Sequence, residues 1–395
     1  MFMSKNICIL AGARPNFIKV SPLVRALNRS DEARCFLVYA GREGDPTLEP
    51  SLFDDLEIAP PQFYLGVDSV KLNEITSQVM AEFDRFLDEH PVDVVIVVDD
   101  LASTMAAAIV TKKRGLRLAH LVAGTRSFNI NMPKEINRLV IDALSDYLFT
   151  AGVRSTGVAT REQSEQSQTY MVGNILMDTL RFNRSRLHRP SLLPDLQENS
   201  YIVFTLNRKA LLADEAHLSQ LLTAMIEAAG DTPIIAPLRP EASQVVSRLT
   251  SASRLTTASK AVSRLTSASD DIIVLNSQFS VLNSQFSVLS SQFSVLNSLS
   301  YLEFGWLTAH AKGIITDSGN VAEEATFNGV PCITINDYTE HQETVTVGSN
   351  VLVGEDPDRL REAVTRLVSG QWKHSALPDR WDGRTAERIL QVLLA

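Results

Sequence analysis

Short apolar runs alternate with stretches that repeat apolar residues every three to four positions, and this alternation recurs along most of the chain. Strands are predicted over 6–11, 34–40, 92–98, 116–122, 147–150 and 170–172, with helices over 22–28, 75–89 and 103–112 and a helix opened by Pro133. The run 92–98 is apolar almost throughout, as expected of a parallel strand covered on both faces. A second set follows: strands over 201–205, 314–315 and 331–335, and helices over 215–229, 301–310 and 358–368, with another helix beginning in the tail near Trp381. The expected fold class is therefore α/β, with two parallel-sheet domains facing a cleft. Residues 1–182 form the first domain, 183–200 with Pro190 and Pro194 the linker, and 201–372 the second domain; 373–395 carries a C-terminal helix that packs back on a domain.

One segment breaks the alternation. SRLTSAS begins at Ser247, SRLTTAS at Ser253 and SRLTSAS again at Ser263; VLNSQFS then begins at Val274 and Val281, VLSSQFS at Val288 and a partial VLNS at Val295. Its Ser and Asn content, adjacent Val–Leu pairs and sparse charge are poor features for a coiled coil. The expectation is a repeat insertion over about 247–297, grown from one real strand at 270–275, with 247–269 and 279–296 forming a mobile surface excursion. Such growth is tolerable because loop closure costs only about 0.6 kcal/mol per doubling of length.

Composition narrows the function. With 395 residues, 45% of them hydrophobic, the chain can bury two cores. Its net charge of -9 and the lack of a long basic run argue against gripping nucleic acid. Cys8, Cys35 and Cys332 lie in apolar runs without disulfide or zinc spacing, so buried thiols in a reducing cytoplasm are expected. No long apolar span or leader pattern opens the chain, which predicts a cytoplasmic protein without membrane insertion.

Candidate chemistry gathers where predicted strands end. At 313–319 a strand runs through Thr316, Asp317, Ser318 and Gly319 into a helix with Glu323 and Glu324 in its first turn, a geometry suited to an anion or equally to a simple capping serine. The strand 331–335 ends in a polar loop through Asn336 to Glu343. Near the start, Gly12 is followed by Arg14 and Lys19, two cations suited to a diphosphate, although Arg14 packing across a domain seam explains it as well. Asp99 and Asp100 end the run 92–98, where they suit a ribose, a general base or a helix cap. Glu135 and Arg138 share a helix face three positions apart, and Asn207, Arg208 and Lys209 form the first loop of the second domain.

GARPNFIK, VVIVVDD, HLVAGTRS, MPKEINR, the VGN turn, TDSGNVAEEA, the TEHQE loop, GSNVLVG and WDGRTAERI occur in that order. On these motifs the chain resembles the non-hydrolysing UDP-N-acetylglucosamine 2-epimerase family over nearly its whole length, the expanded segment excepted. The resemblance implies two Rossmann-like domains in a glycosyltransferase-B-like arrangement, a UDP-sugar in the cleft, interconversion of UDP-GlcNAc and UDP-ManNAc, no cofactor or metal, and a homodimer. By position, Arg14 and Lys19 match the family's basic pair, Asp100 its aspartate after the third strand, and Glu135 and Arg138 its PEE-x-NR-type segment. Ser318 and Gly319 match the diphosphate turn, and Glu324 the acid that holds the ribose; Arg208 remains beside them as a substrate-binding cation.

Departures are equally specific. Val122 stands where HVEAGLR has its catalytic glutamate, and Asn207 where an HRRE-like segment has its histidine. Asn320 replaces the second glycine of DSGG, His341 and Gln342 replace Arg and Pro of an RDTTERPE-like loop, and the GDT-like turn reads Asp99–Asp100–Leu101. The family chemistry resembles reversible elimination and re-addition of UDP, which needs proton removal at sugar C2. Valine cannot exchange a proton and asparagine cannot become a cation, so Asp100 and Glu135 remain as acid/base groups with Arg14, Lys19 and Arg208 for leaving-group charge. The expectations are a weakened or substrate-shifted epimerase, a catalytically inactive UDP-sugar-binding homologue, or a glycosyltransferase.

Overall fold

The computed structural model describes residues 4–261, 286–288, 293–296 and 299–395. The chain divides into two compact units, Met1–Arg186 with Leu377–Ala395, and Leu187–Ala376. Both are α/β units of the Rossmann type, as the alternation of patterns predicts.

The first unit runs β1 (Lys5–Ala11), α1 (Arg14–Asn28), β2 (Ala33–Gly41), α2 (Pro50–Leu56), β3 (Phe63–Val67), α3 (Leu72–Glu89) and β4 (Val94–Val98). It continues through α4 (Ala102–Lys113), β5 (Arg117–Ala123), α5 (Pro133–Leu144), β6 (Tyr147–Thr150), α6 (Val153–Glu162), β7 (Gln168–Met171) and α7 (Ile175–Asn183). The seven strands are all parallel, in the order β3-β2-β1-β4-β5-β6-β7. Strand order reverses between β1 and β4, which opens a crevice at their carboxyl ends. Cys8, Leu10, Val95 and Val97 pack toward Val79, Phe83 and Ala107 of α3 and α4.

Helix α1 starts eight residues earlier than the pattern predicts, because Pro22 reads as a helix start yet sits inside the helix. The proline removes the N–H that would reach the Ile18 carbonyl. Two hydroxyls replace it: Thr179 Oγ1 donates to that oxygen at 2.6 Å and Ser21 Oγ at 3.2 Å.

The second unit runs β8 (Ile202–Thr205), α8 (Lys209–Ala213), α9 (Glu215–Ala229), β9 (Ile234–Pro237), α10 (Pro240–Ala261), β10 (Phe286–Val288) and β11 (Phe293–Leu296). Then come α11 (Tyr301–Ala309), β12 (Gly313–Thr316), α12 (Gly319–Asn328), β13 (Cys332–Thr334), α13 (Glu343–Thr346), β14 (Asn350–Leu352) and α14 (Pro357–Val368). Its sheet order is β10-β11-β9-β8-β12-β13-β14, parallel except for the β10/β11 edge pair. The order again reverses at the first strand of the unit, between β8 and β12. The last helix, α15 (Thr385–Leu394), belongs to the first unit. Asp178 of α7 caps it, accepting from the N–H groups of Thr385 at 3.0 Å and Ala386 at 2.8 Å. Gly173 has φ +101, and a Cβ there would lie 2.1 Å from the Arg380 carbonyl oxygen, so only glycine lets this tail close on the sheet.

The repeat reading is corrected in part. The strand expected at 270–275 lies outside the described residues, and 247–261 continue helix α10. Phe293–Leu296 is no surface excursion. Its four residues pair in register with Ile234–Pro237. Phe293 and Val295 join the core under α9 and α14, while Leu296 enters the core on the other sheet face with Trp306 and Leu307. A strand buried on both faces is what F-S-V-L can supply once the small Ser294 takes the remaining position. Leu296→Ala should therefore cost about 2–3 kcal/mol of stability, read as a lower urea midpoint with unchanged slope. A midpoint equal to the native chain's would restore the excursion reading.

Candidate functional site

The first unit concentrates polar groups at its strand-order reversal. Asn16, buried in the first turn of α1, accepts from the N–H groups of Gly12 at 2.9 Å and Ala13 at 3.2 Å. It donates through Nδ2 to Asp99 Oδ2 at 3.0 Å, so one amide ties the end of β1 to the end of β4. Lys19 Nζ reaches Asp99 Oδ1 at 2.6 Å. A Cβ at Gly12 would lie 2.0 Å from Ser103 Oγ, so a larger residue here would have to push the Ser103 and Leu101 side chains aside. Arg14, by contrast, points to Glu49 at 3.2 Å, so the two cations paired in the sequence reading have separate carboxylate partners.

Asp100 turns toward α5. It takes an ion pair from Arg138 Nη2 and a longer one from Lys134 at 3.4 Å, while Asn137 donates to its backbone carbonyl at 2.8 Å. Arg138 also reaches Glu135 at 3.2 Å. Glu135 further accepts from the Ser127 N–H and hydroxyl, both at 2.8 Å, and from the Phe128 N–H at 3.1 Å. Burial pushes both carboxyl groups up, but for Asp100 the charges of Lys134 and Arg138 outweigh it, and for Glu135 the Ser127, Phe128 and Arg138 hydrogen bonds do; both end below their ordinary values. The first turns of α5 are thus inverted, Glu135 and Arg138 being 2% and 3% exposed while Ile136 and Leu139 are 46% and 37% exposed, before Ile141 returns to the core. Sequence periodicity locates the stripe but not which side faces in.

Beneath this site lies a charged chain that the sequence reading missed. His120 Nδ1 sits 2.5 Å from Asp142 Oδ1 and its Nε2 3.0 Å from the Asp99 carbonyl. Arg126 pairs with Asp142 at 2.7 Å and with Glu162 at 2.7 Å, and the Gly124 N–H donates to Asp142 at 3.0 Å. These bonds brace the irregular end of β5, where the register shifts between Leu121 and Ala123. Val122 at that shift has φ +73, a left-handed conformation that a β-branched side chain rarely adopts. The altered position is therefore a backbone outlier as well as a chemical substitution.

The second unit holds the other group of expected residues at its own reversal. Asp317 Oδ2 accepts from the N–H groups of Asn207 at 2.7 Å and Arg208 at 2.6 Å, joining the loops after β8 and β12. Burial raises the Asp317 pKa, the two N–H groups and Arg208 offsetting it only in part. Arg208 Nη1 contacts Glu355 at 2.6 Å and Asn336 at 3.2 Å. Ser318 precedes Gly319, the first residue of α12, but its side chain makes no cap; its N–H donates to Thr316 Oγ1 at 2.9 Å. Because α12 starts at Gly319, Glu323 and Glu324 fall beyond the first turn where the pattern predicts them. Both are buried. Glu323 pairs with His341 at 2.7 Å, which gives the loop after β13 a partner on α12. Asn320 is half-buried in the opening turn of α12.

Asp317 and Glu355 carry the geometry of this site, and the only prior signal was an acid beside a strand end. Burial pushes the Cys35 and Cys332 thiols up to about 12 and raises Cys8 as well, so none serves as a thiolate at neutral pH. Cys35 is half-buried, where the sequence reading expected burial. Among the described residues no His/Cys/Asp/Glu group is spaced to hold a metal, and no helix is long and apolar enough to cross a membrane.

The family model of UDP-N-acetylglucosamine 2-epimerase matches residues 25–394. A UDP-N-acetylglucosamine 2-epimerase of Methanocaldococcus jannaschii is 28% identical, with 98% of each chain covered. A UDP-2,3-diacetamido-2,3-dideoxy-D-glucuronate 2-epimerase of Pseudomonas aeruginosa is 29% identical over 91% of each chain. The crystal structure of the M. jannaschii UDP-GlcNAc 2-epimerase with UDP-GlcNAc and UDP superposes with a TM-score of 0.78 at 27% identity, covering 98% of this chain and 99% of that one. With the motifs in order and the match spanning both units, the chain belongs to the UDP-N-acetylglucosamine 2-epimerase family.

Proposed function

We propose that the protein is a cytoplasmic homodimer that interconverts UDP-N-acetylglucosamine and UDP-N-acetylmannosamine, with weakened rate or on a shifted UDP-sugar, in a glycosyltransferase-B-like arrangement. The observation that carries this reading is the buried Asp100–Arg138–Glu135 cluster beside the strand-order reversal of the first sheet, which the Lys19–Asp99–Asn16 contacts adjoin. In the forward step a base takes the C2 proton and the C1–O bond breaks to release UDP; UDP then adds back to C1 as a proton returns to C2 on the opposite face. Asp100 is the base in this proposal. Its lowered pKa keeps it ionised at neutral pH, and its side chain retains about a tenth of its exposure. Arg138 and Lys134 fix its orientation. Ser318, Gly319 and Arg208 take the diphosphate, Glu324 the ribose, and Lys19 and Arg14 supply charge for the leaving group.

A second reading is favoured by Glu135. Ser127 supplies two donors, Phe128 one and Arg138 one, so this carboxylate is engaged in positioning and has little capacity left for proton transfer. With Val122 and Asn207 unable to transfer protons, that arrangement suits a UDP-sugar-binding homologue without turnover.

Incubation of the purified protein with UDP-GlcNAc in deuterated water separates the two. The epimerase reading expects UDP-ManNAc and deuterium at C2, and the diacetamido-glucuronate nucleotide of the P. aeruginosa relative should be run in parallel for a shifted substrate. UDP-sugar binding with no C2 exchange on either nucleotide, at high protein concentration, leaves the binding reading.

A further inference from the structure

At the β1/β4 reversal Lys19 is already neutralised from within. Its ammonium lies 2.6 Å from Asp99 Oδ1, with 7% of its side chain exposed, and Asn16 holds the other oxygen of the same carboxylate at 3.0 Å. Asp99 has φ +60, in the left-handed region that suits glycine and, after it, asparagine and aspartate. The neighbouring ion pairs behave alike. Arg14 faces Glu49, Lys134 faces Asp100, and Arg138 faces Asp100 and Glu135, so four cations here (Arg14, Lys19, Lys134, Arg138) meet four carboxylates (Glu49, Asp99, Asp100, Glu135). A ligand phosphate approaching Lys19 must displace a carboxylate that the fold itself holds in place.

We propose that Asp99 is a specificity-determining residue: its carboxylate occupies Lys19 in place of a ligand phosphate and so weakens binding of nucleoside diphosphates. The inference rests on the UDP-sugar reading for the identity of the natural ligand, while the Lys19–Asp99–Asn16 geometry stands independently of it. Asp99→Asn removes the charge yet keeps an acceptor for Asn16 and tolerates the left-handed backbone. Asp99→Gly removes the side chain and suits φ +60 better still.

The test is calorimetric titration of the native chain and both variants with UDP, inorganic pyrophosphate and uridine, beside thermal unfolding of each. Asp99→Asn and Asp99→Gly should bind UDP and pyrophosphate about tenfold or more tightly than the native chain, with uridine changed by less than about twofold. The gain should shrink as salt is raised and vanish in Asp99→Asn combined with Lys19→Met. If the native chain binds UDP and the folded variants bind it no more tightly, the inference fails and the functional reading stands. If the native chain ignores UDP while the variants gain pyrophosphate affinity, the inference stands and the functional reading fails. Equal gains for uridine, no anion binding by either variant, or unfolding of both variants would mark Asp99 as purely structural and overturn the proposal.

Discussion

Val122→Glu together with Asn207→His should raise C2 proton exchange by roughly 10²–10⁴-fold over the native chain, and by more than the product of the two single effects. The two positions stand at the carboxyl ends of β5 and β8, in different units, and in the family pattern they hold a glutamate and a histidine. Greater-than-additive gain would mean that both groups serve one transition state. The backbone at 122 favours the change. Valine at φ +73 is strained, and an unbranched side chain should be less so, which offsets part of the cost of placing a carboxylate where valine stands. Val122→Gly removes the strain but also loses a partly buried side chain and loosens the unfolded chain, so its stability should fall by less than the same change at a strand residue of ordinary φ. Folded single and double variants that bind UDP yet stay at the buffer rate would show that the site has diverged beyond these two positions.

Asp142→Ala should cost about 3–5 kcal/mol and unfold the first unit before the second. This carboxylate accepts from His120, Arg126 and the Gly124 N–H in the interior, and its removal leaves Arg126 with Glu162 and the Thr125 carbonyl as partners. Breaking a buried pair is costly because the remaining charge stays desolvated. The pH dependence has a definite sign. Burial raises the Asp142 pKa, but His120 and Arg126 more than reverse it, so the folded value lies below the unfolded one. Its contribution is therefore complete above the unfolded carboxylate pKa near about 4 and is lost as pH falls through the folded value. Asp142→Asn, which keeps the shape, should lose less stability at neutral pH and show a shallower acid limb in denaturant midpoints measured from pH 7 downward. An acid limb equal to that of the native chain would assign the acid sensitivity elsewhere.

Much of this architecture was readable before any coordinates. Strands such as Val94–Val98 are continuous apolar runs, and Glu215–Ala229 carries its own N-cap in Asp214, whose side chain accepts from the His217 N–H at 3.1 Å. What escaped reading are elements whose local sequence is ambiguous. Phe63–Val67 carries Gly66 inside its short apolar run, and its strand state comes from pairing with β2 rather than from its own pattern. Pro22 signals a helix start locally and is overruled by two hydroxyls, one of them 157 residues away from it at Thr179. The site shows the same division. Asp100, Glu135 and Arg138 were legible as charged groups at a strand end and on one helix face, and the fold brings them together. Asn16, Asp99's hold on Lys19, Asp142 and Glu355 depend on which partner each polar group meets across the sheet, which spacing along the chain does not encode.

Strand β11 has the sequence Phe-Ser-Val-Leu, and the same four letters occur at 279–282 and 286–289. The sheet position between β10 and β9 is thus filled by one member of a set of interchangeable segments spaced seven residues apart. Gain or loss of a whole unit in the coding sequence would leave an identical strand to present to β9. The array can therefore change length between descendants without a compensating mutation in the core, and natural variants differing by multiples of seven residues should share the same sheet.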